Sequence, residues 1–168
     1  MSDGLTAAQL LIAQTWAARG PAYMNGVASE MIVDHRRSER ESARILAVAN
    51  MAGFDVQAAC FDAKFAYYLI RPSQADPLIK LTVGLPNHPS YPSGHSCITS
   101  AFATVLQAEF PQDSERLQAM IEEAGLARMY GGLHYRFDLL AGRELGRQVA
   151  EWVMKTAAPK GHNAIALD

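Results

Sequence analysis

The chain has 168 residues, 49% of them hydrophobic, and a formal net charge of −2 from 15 Lys and Arg against 17 Asp and Glu. That length suits one domain with a substantial core, and the near balance of scattered charges gives no footing for a nucleic-acid partner. No run approaches the ~20 apolar residues that span a bilayer, because prolines, glycines and histidines break the uncharged stretch 81–108.

Met1-Ser2-Asp3 opens no secretory signal, so the chain as written reads as soluble and cytoplasmic, or as secreted where such a signal precedes it. A first helix is predicted over 5–18, with Leu5, Ala8, Ile12 and Trp16 on one stripe. Gly20-Pro21 ends it, and a second helix covers 22–34. Ser38-Glu39-Arg40-Glu41 reads as a capping box for a third, 39–51. Gly53 is expected to interrupt, with Asp55 capping a fourth helix that runs to residue 70. His35, beside Arg36-Arg37, reads as a surface residue.

Five of the eight prolines fall between Pro72 and Pro92, which predicts a long ordered loop, and ordered loops of that length are usually functional. A fifth helix follows over 96–109, a sixth over 114–124 stopped by Gly125, and a turn over 128–133. The last helix, 138–156, carries Gly142 and Gly146 four apart, a spacing suited to tight helix contact. Residues 158–168, with His162, read as a frayed tail. Cys60 and Cys97 match no metal spacing and read as buried thiols. The pattern is all-α, a single bundle of about six or seven helices with no alternating strand segment.

Three clusters carry the chemistry. Lys64 and Arg71 lie seven apart, on nearly one helix face, and Pro72 pushes Arg71 out of helical geometry. In His88-Pro89-Ser90-Tyr91-Pro92-Ser93-Gly94-His95, Ser93 is a good N-cap, and Gly94 lets an oxyanion approach the free N–H groups of a helix start. His95 then sits in the first turn. Arg128, His134 and Asp138 form the third cluster. The i,i+4 pair lets Asp138 hold one imidazole nitrogen of His134 and leave the other as nucleophile or ligand. Three cations, a hydroxyl, a backbone N–H and two histidines suit a tetrahedral oxyanion passing through a five-coordinate geometry. The side-chain ends of Lys64, Arg71, His95, Arg128 and His134 are expected to surround one cavity.

In this order the three clusters resemble the signature of the superfamily of type-2 phosphatidic-acid phosphatases and vanadium-dependent haloperoxidases. One position departs: Ala127 stands where the family usually has serine before the arginine. The resemblance runs from about residue 49 to 146. It implies the helical core of that fold as one oxyanion-binding catalytic domain over 1–168. Haloperoxidases of this kind usually carry an additional N-terminal half. For a haloperoxidase it implies vanadate bonded to His134, with Arg71, Arg128, Ser93 and Gly94 on its oxygens. His95 would then move protons, Lys64 would polarise peroxide, and His88 would neighbour the halide; the reactants are hydrogen peroxide and halide, and a homodimer is allowed. For a soluble acid phosphatase it implies a phosphate ester as substrate and no cofactor, with His134 attacking phosphorus and His95 protonating the leaving oxygen. His134-Tyr135-Arg136-Phe137-Asp138 resembles the haloperoxidase form, where phosphatases more often place a proline. A non-catalytic oxyanion-binding module is the third reading. Such a copy should have lost one of His95, Arg128 or His134, and none is lost.

Overall fold

A computed structural model describes residues 4–157, and residues 158–168, with the predicted tail and His162, lie outside the described residues. Among the described residues every regular element is helical: α1 (Ala7–Ala17), α2 (Pro21–Asp34), α3 (Glu39–Tyr67), the one-turn α4 (Pro72–Ala75), α5 (Gly94–Glu109), a 3-10 turn (Pro111–Asp113), α6 (Ser114–Tyr130) and α7 (Arg136–Ala157).

Local chemistry sets the helix starts. Thr6 and Gln9 close a capping box on α1, and Ser38 and Glu41 close the expected one on α3. Pro21 takes the first position of α2, where its missing N–H costs nothing. Ser93 caps α5 by accepting from the Ser96 N–H.

Two glycines do not end helices. α3 runs unbroken through Gly53, so the separate third and fourth helices are one helix of 29 residues. A Cβ at Gly53 would collide with the Phe102 ring, so this glycine lets α3 press onto α5. α6 likewise passes through Gly125 to Tyr130 and does not stop at residue 124. A Cβ at Gly125 would meet Arg143 Nη2 at 2.9 Å. At Gly53 packing across the helix outweighs the loss of roughly 1 kcal/mol in helix propensity, while at Gly125 the near atom is the movable end of the Arg143 side chain. α3 ends at Tyr68, which takes a left-handed conformation at φ 49°. His35 is half-buried: it stacks on Phe110 and its Nε2 lies 2.6 Å from Asp113.

α5 is the central helix. Nine of its residues, from Ser96 to Leu106, are buried, which is what a helix surrounded by others requires. α3, α6 and α7 pack around it. The α7 contact is closest: Cβ atoms at Gly142 and Gly146 would lie 2.7 Å from Ser93 O and 2.5 Å from Cys97 O. Cys60 and Cys97 are free and buried in the α3–α5–α7 core. The loop from Asp76 to Ser93 crosses the C-terminal ends of α3 and α6. It is tied by Ser90 N–H to Leu69 O at 2.8 Å and by Thr82 Oγ1 to Tyr130 O at 3.2 Å.

Candidate oxyanion site

The site forms where this loop meets the N-terminus of α5 and the last turn of α6. Arg71 is extended at φ −80° and ψ 155°, as a residue before proline should be. That conformation turns its side chain away from α4 and under the loop. Its Nε donates to His88 O at 3.2 Å. Nη2 reaches His88 O and Pro89 O, with His88 Nδ1 at 3.2 Å, and Nη1 reaches Leu133 O at 2.9 Å and His134 Nε2 at 3.3 Å. Burial, the larger effect, lowers its pKa, and Asp138 offsets this.

His134 lies just before α7 and is 6% exposed. A guanidinium only donates, so Nε2 accepts from Arg71 and the ring proton is on Nδ1. Nδ1 faces Asp138 Oδ2 at 2.9 Å. The same carboxylate oxygen accepts from Ser90 Oγ at 2.6 Å and from the Tyr135 N–H at 3.1 Å. Burial pushes His134 down to about 3, against the opposing hydrogen bond to Asp138. The outcome is a neutral imidazole whose Nε2 lone pair faces cations, which suits attack on, or ligation of, an electrophilic centre.

Arg128, in the last turn of α6, differs from Arg71. It is 4% exposed, and its Nε and Nη1 have no hydrogen-bond partner among the described residues. Burial lowers it to about 10, with a smaller contribution from Arg71. Its charge also helps to lower His95 and, to a smaller degree, His88, in both cases after burial. Nothing lies within 4 Å of where a Gly94 Cβ would be, so the backbone at the start of α5 is open to approach. Buried donors without acceptors, an open glycine at a helix N-terminus and a fixed histidine lone pair are chemically suited to a tetrahedral oxyanion.

Lys64 stands elsewhere in this arrangement. It is fully buried in the last turn of α3, and its ammonium donates to Pro89 O, Ser90 O and Pro92 O. All three protons hold the loop from below. Desolvation brings its pKa down to about 8. His95 has one ring nitrogen engaged away from these groups: its Nε2 lies 2.9 Å from Trp16 O in α1. The five expected side-chain ends therefore do not line one open cavity. His88 borders a cavity of about 300 Å³ with Phe65, Tyr68 and Leu85, and His95 borders a separate one of about 30 Å³ with Trp16 and Met24.

Two positions escaped the sequence reading. Ser90 lies three residues before Ser93, and only the second serine had a capping role to mark it. Trp16 was read as a core residue because a main-chain acceptor leaves no trace in residue type.

Comparison with known proteins gives the wider frame. A family model described as the PAP2 superfamily matches residues 43–161. A vanadium-dependent bromoperoxidase of Ascophyllum nodosum is 30% identical over 39% of this chain and 17% of its own length. The structure of a bacterial vanadium-dependent iodoperoxidase superposes with a TM-score of 0.80 at 24% identity, covering 91% of this chain and 44% of that one. Aquifex aeolicus LpxE follows with a TM-score of 0.68 at 20% identity, covering 92% of this chain and 90% of that one. A transmembrane PAP2-type phosphatidylglycerolphosphate phosphatase of Bacillus subtilis has 0.52 at 20%, covering 94% and 88%. The chain spans less than half the length of the two vanadium peroxidases. Among the described residues no helix is long and apolar enough to cross a membrane.

Proposed function

The chain belongs to the PAP2 superfamily, whose members are haloperoxidases or phosphatases, and from that premise we propose that it is a vanadate-dependent haloperoxidase. The observation that carries an oxyanion-based reading is Arg128, a buried guanidinium with two atoms lacking acceptors among the described residues. Vanadate has the charge and shape to fill that place. His134 Nε2, Arg128, the Ser93 hydroxyl and the Gly94 N–H are the groups to hold it, with Arg71, whose nitrogens already donate to His88 O, Pro89 O, Leu133 O and His134 Nε2, adding its charge beside them. When bound, vanadate supplies a Lewis-acidic centre that activates hydrogen peroxide toward halide. The likeness to the bromoperoxidase and the Tyr135-Arg136-Phe137 stretch between His134 and Asp138 support this choice.

The chain's own residues have separate roles. Asp138 keeps the Nδ1 proton of His134 in place, so Nε2 stays a lone-pair donor. His95, neutral because burial lowers it to about 4, takes up and returns protons. Arg128 offsets the negative charge of the bound oxygens.

Lys64 favours a second reading. With its three protons on loop carbonyls, it has none left to polarise peroxide. Phosphomonoester hydrolysis needs no such donor: His134 Nε2 attacks phosphorus, His95 protonates the leaving oxygen, and the arginines stabilise the trigonal bipyramid. One experiment separates the two. The purified protein is incubated with vanadate, then assayed for bromination of a dione with peroxide beside hydrolysis of an aryl phosphate. Bromination that requires vanadate supports the first reading. Phosphate release that vanadate inhibits, without bromination, replaces it with the second.

A further inference from the structure

α1 lies outside the residues that match the family model, yet it touches the histidine assigned to proton transfer. Trp16 stands in the last turn of α1, where carbonyls lack intrahelical partners and are free to accept from elsewhere. Its carbonyl takes the Arg19 N–H at 3.2 Å and stands 2.9 Å from His95 Nε2. A carbonyl cannot donate, so His95 carries its proton on Nε2. The Arg19 main chain is a second, weaker acceptor near the same ring, and both oppose the larger lowering of its pKa by burial.

The anchoring of Trp16 is specific. The side chain is 1% exposed and sits on Ala124 and Ala127 of α6, the helix that also carries Arg128. Its Nε1 donates to Glu123 Oε1 at 2.7 Å. The Arg19 guanidinium lies 4.9 Å from the Trp16 ring and 4.2 Å from that of Tyr23. α1 is thus held to the same helix end that supplies the unpaired guanidinium.

The two histidines then mirror each other. His134 has Nδ1 tied to Asp138 and presents Nε2; His95 has Nε2 tied to Trp16 O and presents Nδ1. We infer that α1 is a positioning element of the active site, with the Trp16 carbonyl fixing the tautomer and ring plane of His95 so that Nδ1 exchanges the proton. The proposal rests on the reading of His95 as the proton-transfer residue. A neutral acceptor suits proton exchange. It orients the ring as a carboxylate would, without holding the imidazolium so strongly that the proton is not returned.

The test is nitrogen-15 NMR of the imidazole rings in the full chain, with His95→Gln to assign the signals. Wild type should show His95 as a single tautomer, protonated on Nε2 and unprotonated on Nδ1. Trp16→Ala, which frees α1 from α6, should give a tautomer mixture. It should also lower kcat about tenfold, the lower end for a partner that orients an active-site imidazole, with the affinity for inorganic vanadate kept within about twofold. Trp16→Phe keeps the carbonyl and most of the packing, so the single tautomer should persist. A wild-type His95 protonated on Nδ1, or already mixed, overturns the inference, and that measurement needs no variant to fold. A Trp16→Ala protein with an unchanged His95 spectrum also overturns it. Loss of vanadate binding in wild type would instead count against the oxyanion site itself.

Discussion

Ser90 Oγ lies 2.6 Å from Asp138 Oδ2, the oxygen that also faces His134 Nδ1 at 2.9 Å. Asp138 is fully buried and its Oδ1 has no partner, so one oxygen carries every hydrogen bond of the carboxylate. Ser90→Ala removes a bond to a charged group, worth about 1.5–3 kcal/mol, together with the longer 3.3 Å approach of Ser90 Oγ to His134 Nδ1. Denaturant unfolding should show that loss, and turnover should fall roughly 10–100-fold, as for a partner that orients a metal or nucleophile ligand. His134→Ala should abolish turnover, and Asp138→Asn should do less harm because the ring remains. Turnover in Ser90→Ala equal to wild type would show that Asp138 needs no help to hold the ring.

Gly146→Ala and Gly26→Ala form a matched pair. A Cβ at Gly146 would stand 2.5 Å from Cys97 O and 2.7 Å from Ser100 Cβ, so α7 and α5 must part. Overpacking of this kind costs about 1–3 kcal/mol, and because Ser93 and His95 ride on α5, anion affinity should fall as well. At Gly26, inside α2, nothing lies within 4 Å of the added methyl, so the alanine should stabilise by roughly 0.5–1 kcal/mol. Melting curves of the two variants should move in opposite directions.

That pair marks how far the sequence could be read. Helix type and the capping box at Ser38 were legible because each depends on neighbours along one chain segment, and the close glycines of α7 because their spacing of four repeats one small face toward α5. Gly53 and Gly125 were not, since a glycine that breaks a helix and one that admits another helix look alike until Phe102 and Arg143 are in place. The pairing of His134 with Asp138 was legible from its i,i+4 spacing. The partners of Lys64 and His95 were not, because main-chain carbonyls accept both and carry no residue signature.

Arg128 should be a cost to the empty protein and an asset to the occupied one. Its Nε and Nη1 are buried without acceptors, so Arg128→Met should leave the anion-free protein at least as stable as wild type. In wild type, vanadate at about 100 times its Kd should add about 2.7 kcal/mol of stability. Arg128→Met should lose nearly all of that gain at the same concentration. An equal thermal shift by vanadate in both proteins would place the anion elsewhere.

Stability should fall as the solution is acidified from pH 6.5. His95 and His134 are held neutral by burial, at about 4 and about 3 against an ordinary 6.5. Below pH 6.5 the unfolded chain takes up two protons that the folded one refuses. The folded state's advantage is complete above 6.5 and disappears as pH falls through 4 and then 3. The slope approaches about 2.7 kcal/mol per pH unit in the middle of this window. Urea titrations between pH 7 and 4.5 should show it, and His95→Gln should flatten the slope by about half. A flat profile in wild type would mean that the two rings titrate in the folded protein as they do in the unfolded chain.

Lys64→Met separates a loop clamp from an anion ligand. The ammonium converges on Pro89 O, Ser90 O and Pro92 O, and the stretch it grips delivers Ser93 and Gly94. Methionine keeps the bulk of the stem but leaves three carbonyls without this donor, at about 1–3 kcal/mol for each buried group left unsatisfied. The anion-free protein should therefore unfold at markedly lower urea, and Lys64→Arg should not restore it, since a planar fork does not replace three converging donors. pH adds a further check. Desolvation lowers Lys64 to about 8 from an ordinary 10.5, so the unfolded chain holds this proton more tightly. The contribution of this group to stability is complete above 10.5 and is lost as pH falls through 8. Wild type should gain relative to Lys64→Met between pH 8 and 10.5. If Lys64→Met instead matched wild-type stability and lost only anion affinity, by roughly ten- to two-hundred-fold, Lys64 would be a direct ligand of the oxyanion.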